Sequence, residues 1–188
     1  MVNSQNKIIV PFSRPKLTKL IGIGLVFVVV GLGLIFYADN WPENVPRWIP
    51  VVLGIFALLV FGYISMAILK KLTNKMPGLI IREDGIWDNS SAIAIGLIEW
   101  QDITKVDECH AVGQDFICIH VDDPQKYIKK AKNAFQERIL TINHQTHASA
   151  IQITANGLQG THQDVLGLLQ ENFIKYKRIE NRIEKGEL

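Results

Sequence analysis

Few side chains in this 188-residue chain are of types that do chemistry, and their spacing decides what they can do. Cys109 and Cys118 flank a glycine-containing turn at 112–115, so they can face each other across a hairpin, with His110 and His120 close by. Two cysteines without a CxxC spacing are a poor zinc signal, and the four residues read better as ordinary strand residues. A disulfide is not expected either, because the flanking charges described below put this part of the chain on the cytoplasmic side, where thiols stay reduced. His144 and His147 are one helical turn apart, but 143–149 reads as a loop, and no His-Glu-x-x-His pattern occurs. Glu83-Asp84 and Asp122-Asp123 are adjacent carboxylates in turns, where they cap and solvate; acid–base chemistry uses separated ones. Ser90-Ser91 has no histidine nearby in sequence, and there is no phosphate-binding glycine loop, nucleophile elbow or kinase signature. The expectation is a protein that is not an enzyme, with no cofactor and no metal.

The elements that carry these residues are set by two apolar runs. Residues 20–38 and 48–69 contain no charged side chain. About 20 apolar residues in a helix cross the roughly 30 Å hydrocarbon core of a bilayer. Backbone polar groups find no water partner there, which forces each run to be helical. The remaining residues are too few to bury two such helices inside a soluble core. The first run is too long for a signal-peptide core, and a cut after Ala38 would set bulky Phe36 and Tyr37 where small residues are preferred. The chain therefore divides into an N-terminal tail at 1–19, a helical hairpin at 20–75 and a soluble domain at 76–188.

Charge sets the orientation. Residues 1–75 carry eight basic and two acidic side chains, whereas 76–188 carry twelve and sixteen, giving +6 and −4. Lys7, Arg14, Lys16 and Lys19 precede the first run, Lys70, Lys71 and Lys75 follow the second, and the loop between has only Arg47. The positive-inside rule then places both termini in the cytoplasm. Tyr37, Trp41 and Trp48 form an aromatic belt at the opposite surface, and Pro42, Pro46 and Pro50 make the reversal stiff. Gly24 and Gly31 share one helix face, and Gly54 and Gly62 share one on the other helix; such small residues suit a hairpin seam and equally a dimer seam. No ionisable residue lies inside either run, which argues against an ion path or transporter. The basic excess belongs to the membrane flanks, and a mildly acidic domain argues against nucleic-acid binding.

Beyond Pro77 the pattern is short strands and turns. Strands are expected at 79–82, 92–98, 103–108, 116–121 and 150–154. Asp123-Pro124 should start a helix running to about Leu140, with Ile128, Ala131, Phe135 and Ile139 as its buried face. Lys126, Lys129, Lys130 and Lys132 lie opposite. They suit an anionic lipid surface or a partner, although an ordinary solvated face is the plainer reading. Thr161 with Asp164 should cap a final helix whose charged end, past Arg178, frays.

The order of two spans, Pro77-Gly78-Leu79-Ile80-Ile81, Asp88-Asn89-Ser90-Ser91 and Gly96-Leu97-Ile98-Glu99-Trp100-Gln101-Asp102-Ile103 resembles a family of short bacterial inner-membrane proteins. Their cytoplasmic part is similar to bacterial pleckstrin-homology-like domains, with the aromatic-x-x-Ile segment at Trp100–Ile103 as the shared element. The resemblance covers about Leu20 to Tyr176 and implies an α+β membrane protein: a two-helix transmembrane hairpin, then a small antiparallel β-barrel or sheet with an inserted helix and a C-terminal capping helix. The inserted helix departs from a minimal barrel of that kind. The function expected is a membrane-tethered interaction module binding a protein partner or lipid at the inner membrane, with homo-oligomerisation open. The alternative is an immunity protein against a cognate toxin.

Overall fold

The computed structural model describes residues 7–73, 76–111 and 113–185, so Lys75, one of the basic residues after the second apolar run, and Val112 of the expected turn lie outside the described residues. The chain forms two compact units: Arg14–Met76, and the described residues up to Ser13 together with those from Pro77 onward.

The first unit is a pair of helices, α1 (Arg14–Phe36) and α2 (Trp48–Thr73), joined through a short 3-10 turn at Ala38–Asn40. Both are long and apolar enough to cross a membrane. Pro15 and Pro50 sit in first turns, where a missing N–H costs nothing, so α1 starts six residues before the uncharged run. Val29 is 67% exposed and Leu59 69%, side chains that a soluble core would hide. Gly24, Gly31 and Gly54 are buried on the seam. A Cβ on Gly31 would lie 3.0 Å from the Gly54 carbonyl oxygen, and one on Gly54 would lie 2.5 Å from the Gly31 carbonyl oxygen. Phe27 and Phe61 stack across the same interface at 4.2 Å. Gly62 stands off the seam, with nothing within 4 Å of where a Cβ would be.

The second unit holds two antiparallel sheets. One has the order β1 (Ile8–Val10), β2 (Leu79–Ile81), β3 (Gly85–Asp88), β4 (Gly96–Glu99). The other is β5 (Ile103–Ala111), β6 (Gln114–Val121), β7 (Ile151–Ile153). Among the described residues they do not close into a barrel, which corrects the barrel form of the expectation. A 3-10 turn at Trp100–Asp102 ends β4 and carries the chain from one sheet to the other. Leu79, Ile86, Ile98, Ile103, Ile117, Ile119 and Ile153 fill the space between the sheets and α5 (His162–Glu184), whose Val165 and Leu169 face them.

Several local features differ from the sequence expectation. The strand expected at 92–98 is only β4, because 92–93 form a turn and 94–95 are irregular, and β3 is a strand not expected between the two turns. The N-terminal tail is not merely polar: Ile8-Ile9-Val10, a β-branched run, pairs antiparallel with β2, Ile9 opposite Ile80. The stitching continues, as Ser13 N–H donates to Gly157 O at 2.8 Å and Gln159 N–H to Pro11 O at 2.9 Å. The inserted helix is two, α3 (Pro124–Ile128) and α4 (Ala134–His147). Asp123 caps α3, but Asn133 caps a new helix by accepting from Gln136 N–H at 2.9 Å. The break turns Phe135 outward, 70% exposed, and α4 continues through the histidines read as loop. Finally, the Thr161–Asp164 capping box forms as expected, yet α5 stays helical to Glu184.

Gly54→Val should lower the stability of the detergent-solubilised chain by about 1–3 kcal/mol through overpacking of the seam. Gly62→Val, on open surface, should leave the thermal melting curve unchanged.

Candidate functional site

The densest polar cluster of the second unit surrounds Asp102. This carboxylate is buried at the end of the 3-10 turn and accepts from the Tyr127 hydroxyl and the Lys126 ammonium, each at 2.5 Å. The fully buried Tyr127 hydroxyl in turn accepts from Glu99 N–H at 3.1 Å, and Lys126 reaches Glu99 Oε1 at 3.3 Å. Burial pushes the Asp102 carboxyl up, but the hydrogen bonds from Lys126 and Tyr127 together outweigh it and hold the group below the ordinary carboxylate range. Burial first, then the bond to Asp102, drives the Tyr127 hydroxyl well above an ordinary phenol. The Lys126 ammonium is raised by its bond to Asp102. The cluster is a charged strut that fastens α3 to the end of β4, with Lys126 and Tyr127 both donating to Asp102 Oδ2.

The strut takes up half of the expected lysine face. Lys130 lies 4.3 Å from the Tyr127 ring centre and donates to Leu97 O at 3.2 Å. Lys129 and Lys132 are exposed. The structure therefore brings Lys126 and Lys130 together around Tyr127 and leaves Lys129 and Lys132 for an outside contact. Lys70 and Lys71 stand in the last turn of α2, where a cation complements the helix dipole. Close to Lys132, α4 presents Phe135 and the 44% exposed Ile142, two turns apart on one face. Sequence periodicity misplaced Phe135 because it ran one helix through the Asn133 cap.

Cys109 and Cys118 are joined in a disulfide, contrary to the expectation of free thiols. Cys109 stands opposite Phe116 and Cys118 opposite Asp107, so the two are diagonal neighbours on one face of the β5–β6 hairpin. Their Cα atoms are 5.8 Å apart, within the span of a bridge. Strand alternation carried this signal; the compartment argument overrode it. The nearby histidines are engaged with carboxylates: His110 with Asp115 at 2.7 Å, His120 with Asp107 at 2.8 Å, and His162 with Glu108 at 2.9 Å. Among the described residues no three metal-ligating side chains converge. The turn carboxylates act locally, with Asp84 paired to Arg82 and Asp123 capping α3. No protein family, curated protein or solved structure matches this chain.

Two outcomes are expected from the strut and the bridge. Tyr127→Phe should cost about 1–3 kcal/mol in denaturant melts by leaving Asp102 and the Glu99 N–H short of a partner. Because the folded Asp102 carboxyl titrates below its unfolded value, its stabilisation is complete above about pH 4 and is lost as pH falls through the folded value. Asp102→Asn should flatten that acid limb. The bridge should leave both cysteines unreactive to alkylation until reductant is added, and its loss in Cys109→Ser should cost up to about 3 kcal/mol for so short a loop. Two thiols alkylated at once in a non-reduced preparation would contradict the pairing.

Proposed function

We propose that this protein is a non-enzymatic interaction module tethered to the cytoplasmic face of a bacterial inner membrane. The observation that carries the reading is the strand pairing of β1 with β2. The chain leaves the soluble unit through β1, makes two membrane-length helices, and re-enters the same sheet as β2. The links are short: residues 11–13 separate β1 from α1, and 74–78 separate α2 from β2. The two-sheet unit with its long C-terminal helix suits the pleckstrin-homology-like reading of the sequence.

The cytoplasmic side is favoured by seven basic residues flanking the two apolar runs against Arg47 alone in the loop. The disulfide pulls the other way, and the charge bias is the stronger signal because it acts when the helices insert. Bridges on the cytoplasmic side are kept reduced, so the pair is expected to close once the protein is taken out of the reducing cytosol. A binding role rather than a catalytic one is supported by the use of Asp102, Tyr127 and Lys126 as an internal strut. The outward face of α4, with Phe135, Ile142 and Lys132, is the contact we assign to a protein partner.

The test is purification of the full chain from native membranes under gentle solubilisation, with bound proteins identified by mass spectrometry. A stoichiometric partner should be recovered and should be lost in Phe135→Asp/Ile142→Asp, while the variant still fractionates with membranes. A partner that is a toxin would make the module an immunity protein. Recovery of no partner, or one indifferent to the α4 substitutions, would overturn this assignment.

A further inference from the structure

A groove of about 340 Å³ runs between the β1–β2 edge of the first sheet and the C-terminal half of α5. Its apolar lining is Ile8, Ile81, Trp100, Tyr176 and Ile179. Trp100 is fixed, because its indole N–H donates to Arg82 O at 2.8 Å and its ring stacks on Tyr176 at 6.0 Å between centres. Ile8 and Ile179 are 39% and 43% exposed, so the groove opens an apolar strip to the outside. Lys7, Arg82, Glu83 and Lys175 are its charged residues. Arg82 is committed to Asp84, its Nε donating at 2.8 Å. Among the described residues Lys7 and Lys175 have no ion-pair partner. Tyr176 and Glu83 also line a second depression with Asp84 and Glu99, whose carboxylates are paired with Arg82 and Lys126.

We infer that this groove binds an anionic membrane lipid, one acyl chain lying along Ile8, Ile81, Trp100 and Ile179 and the acidic head group between Lys7 and Lys175. The inference rests on the membrane-tethered reading and gives it a ligand. An apolar floor beside unpaired cations complements an anionic amphiphile and disfavours a zwitterionic one. Glu83, which lines both depressions, disfavours the head group on its side and directs it toward Lys7 and Lys175. The volume is at the low end of small-molecule sites, about 300–1,000 Å³, and suits one chain rather than two. The source of the lipid is the bilayer in which the two apolar helices of the same chain are proposed to sit.

The test uses the full chain in phosphatidylcholine nanodiscs. They are doped with phosphatidylglycerol carrying a photoactivatable acyl chain or, separately, with the equivalent phosphatidylcholine, and adducts are mapped by mass spectrometry. Phosphatidylglycerol adducts are expected on Ile8 and on the α5 segment around Ile179, as well as on α1 and α2. The groove adducts should fall about fivefold in Lys7→Gln or Lys175→Gln, matching the attraction of one basic side chain to anionic lipid. They should disappear in Ile179→Asp, with labelling of α1 and α2 unchanged as proof that the variant still inserts. Adducts confined to α1 and α2, or equal with both lipids, or indifferent to the lysine substitutions, would overturn the inference and leave the tether reading intact. An absence of adducts on α1 and α2 as well would overturn both.

Discussion

The structure depends on the antiparallel pairing of β1 with β2. In sequence these strands flank a pair of helices that hold most of the exposed large apolar side chains among the described residues. Pairing Val10 with Leu79 fixes where the helical segment begins and ends, so α1 and α2 have to run out and back as a hairpin. The glycine seam at Gly24, Gly31 and Gly54 answers the same requirement from within the helices, since antiparallel neighbours with short connections pack closely. Long-range strand pairing carries a loop-closure cost that grows only slowly with length, and a preformed hairpin reduces the freedom to be lost.

Charge in the two-sheet unit serves mainly to hold that unit together. Lys126 and Lys130 bind Asp102, Tyr127 and Leu97, and the histidines of the β5–β6 hairpin meet carboxylates. What remains for an outside ligand is smaller than a count of lysines suggests, and it is localised: Lys129 and Lys132 near the outward face of α4, and Lys7 and Lys175 at the groove. Buried ion pairs of the Asp102 kind add little net stability compared with apolar packing. They do fix one geometry, and here that geometry sets which lysines face out.

Much of this was legible in the sequence where one physical signal dominates. The apolar helices follow from run length and lack of charge, α5 from its capping box, and β6 from the β-prone run at 116–121. What escaped depends on competition between signals. The strand at Ile8–Val10 is three residues long between a charged residue and a proline, and only its distant partner makes it a strand. The split between α3 and α4 is set by the Asn133 side chain, which gains a capping bond inside a stretch that still shows helical periodicity. Ile86 and Trp87 of β3 are too few to show alternation between two turns. The Cys109–Cys118 bridge follows from hairpin register, which a compartment argument cannot see. The groove unites residues 8, 81, 100 and 179, which no local pattern connects.

The central claim is that the segment before the helices and the domain after them lie together on one side of a membrane that the helices cross. Single cysteines at Lys7, Glu43 and Asn156, placed in a Cys109→Ser/Cys118→Ser background, test it with a membrane-impermeant maleimide applied to intact cells and to inverted vesicles. The account predicts that positions 7 and 156 react only in inverted vesicles, and position 43 only in intact cells. Labelling of 7 and 156 from opposite sides, or of all three from the same side, would contradict it.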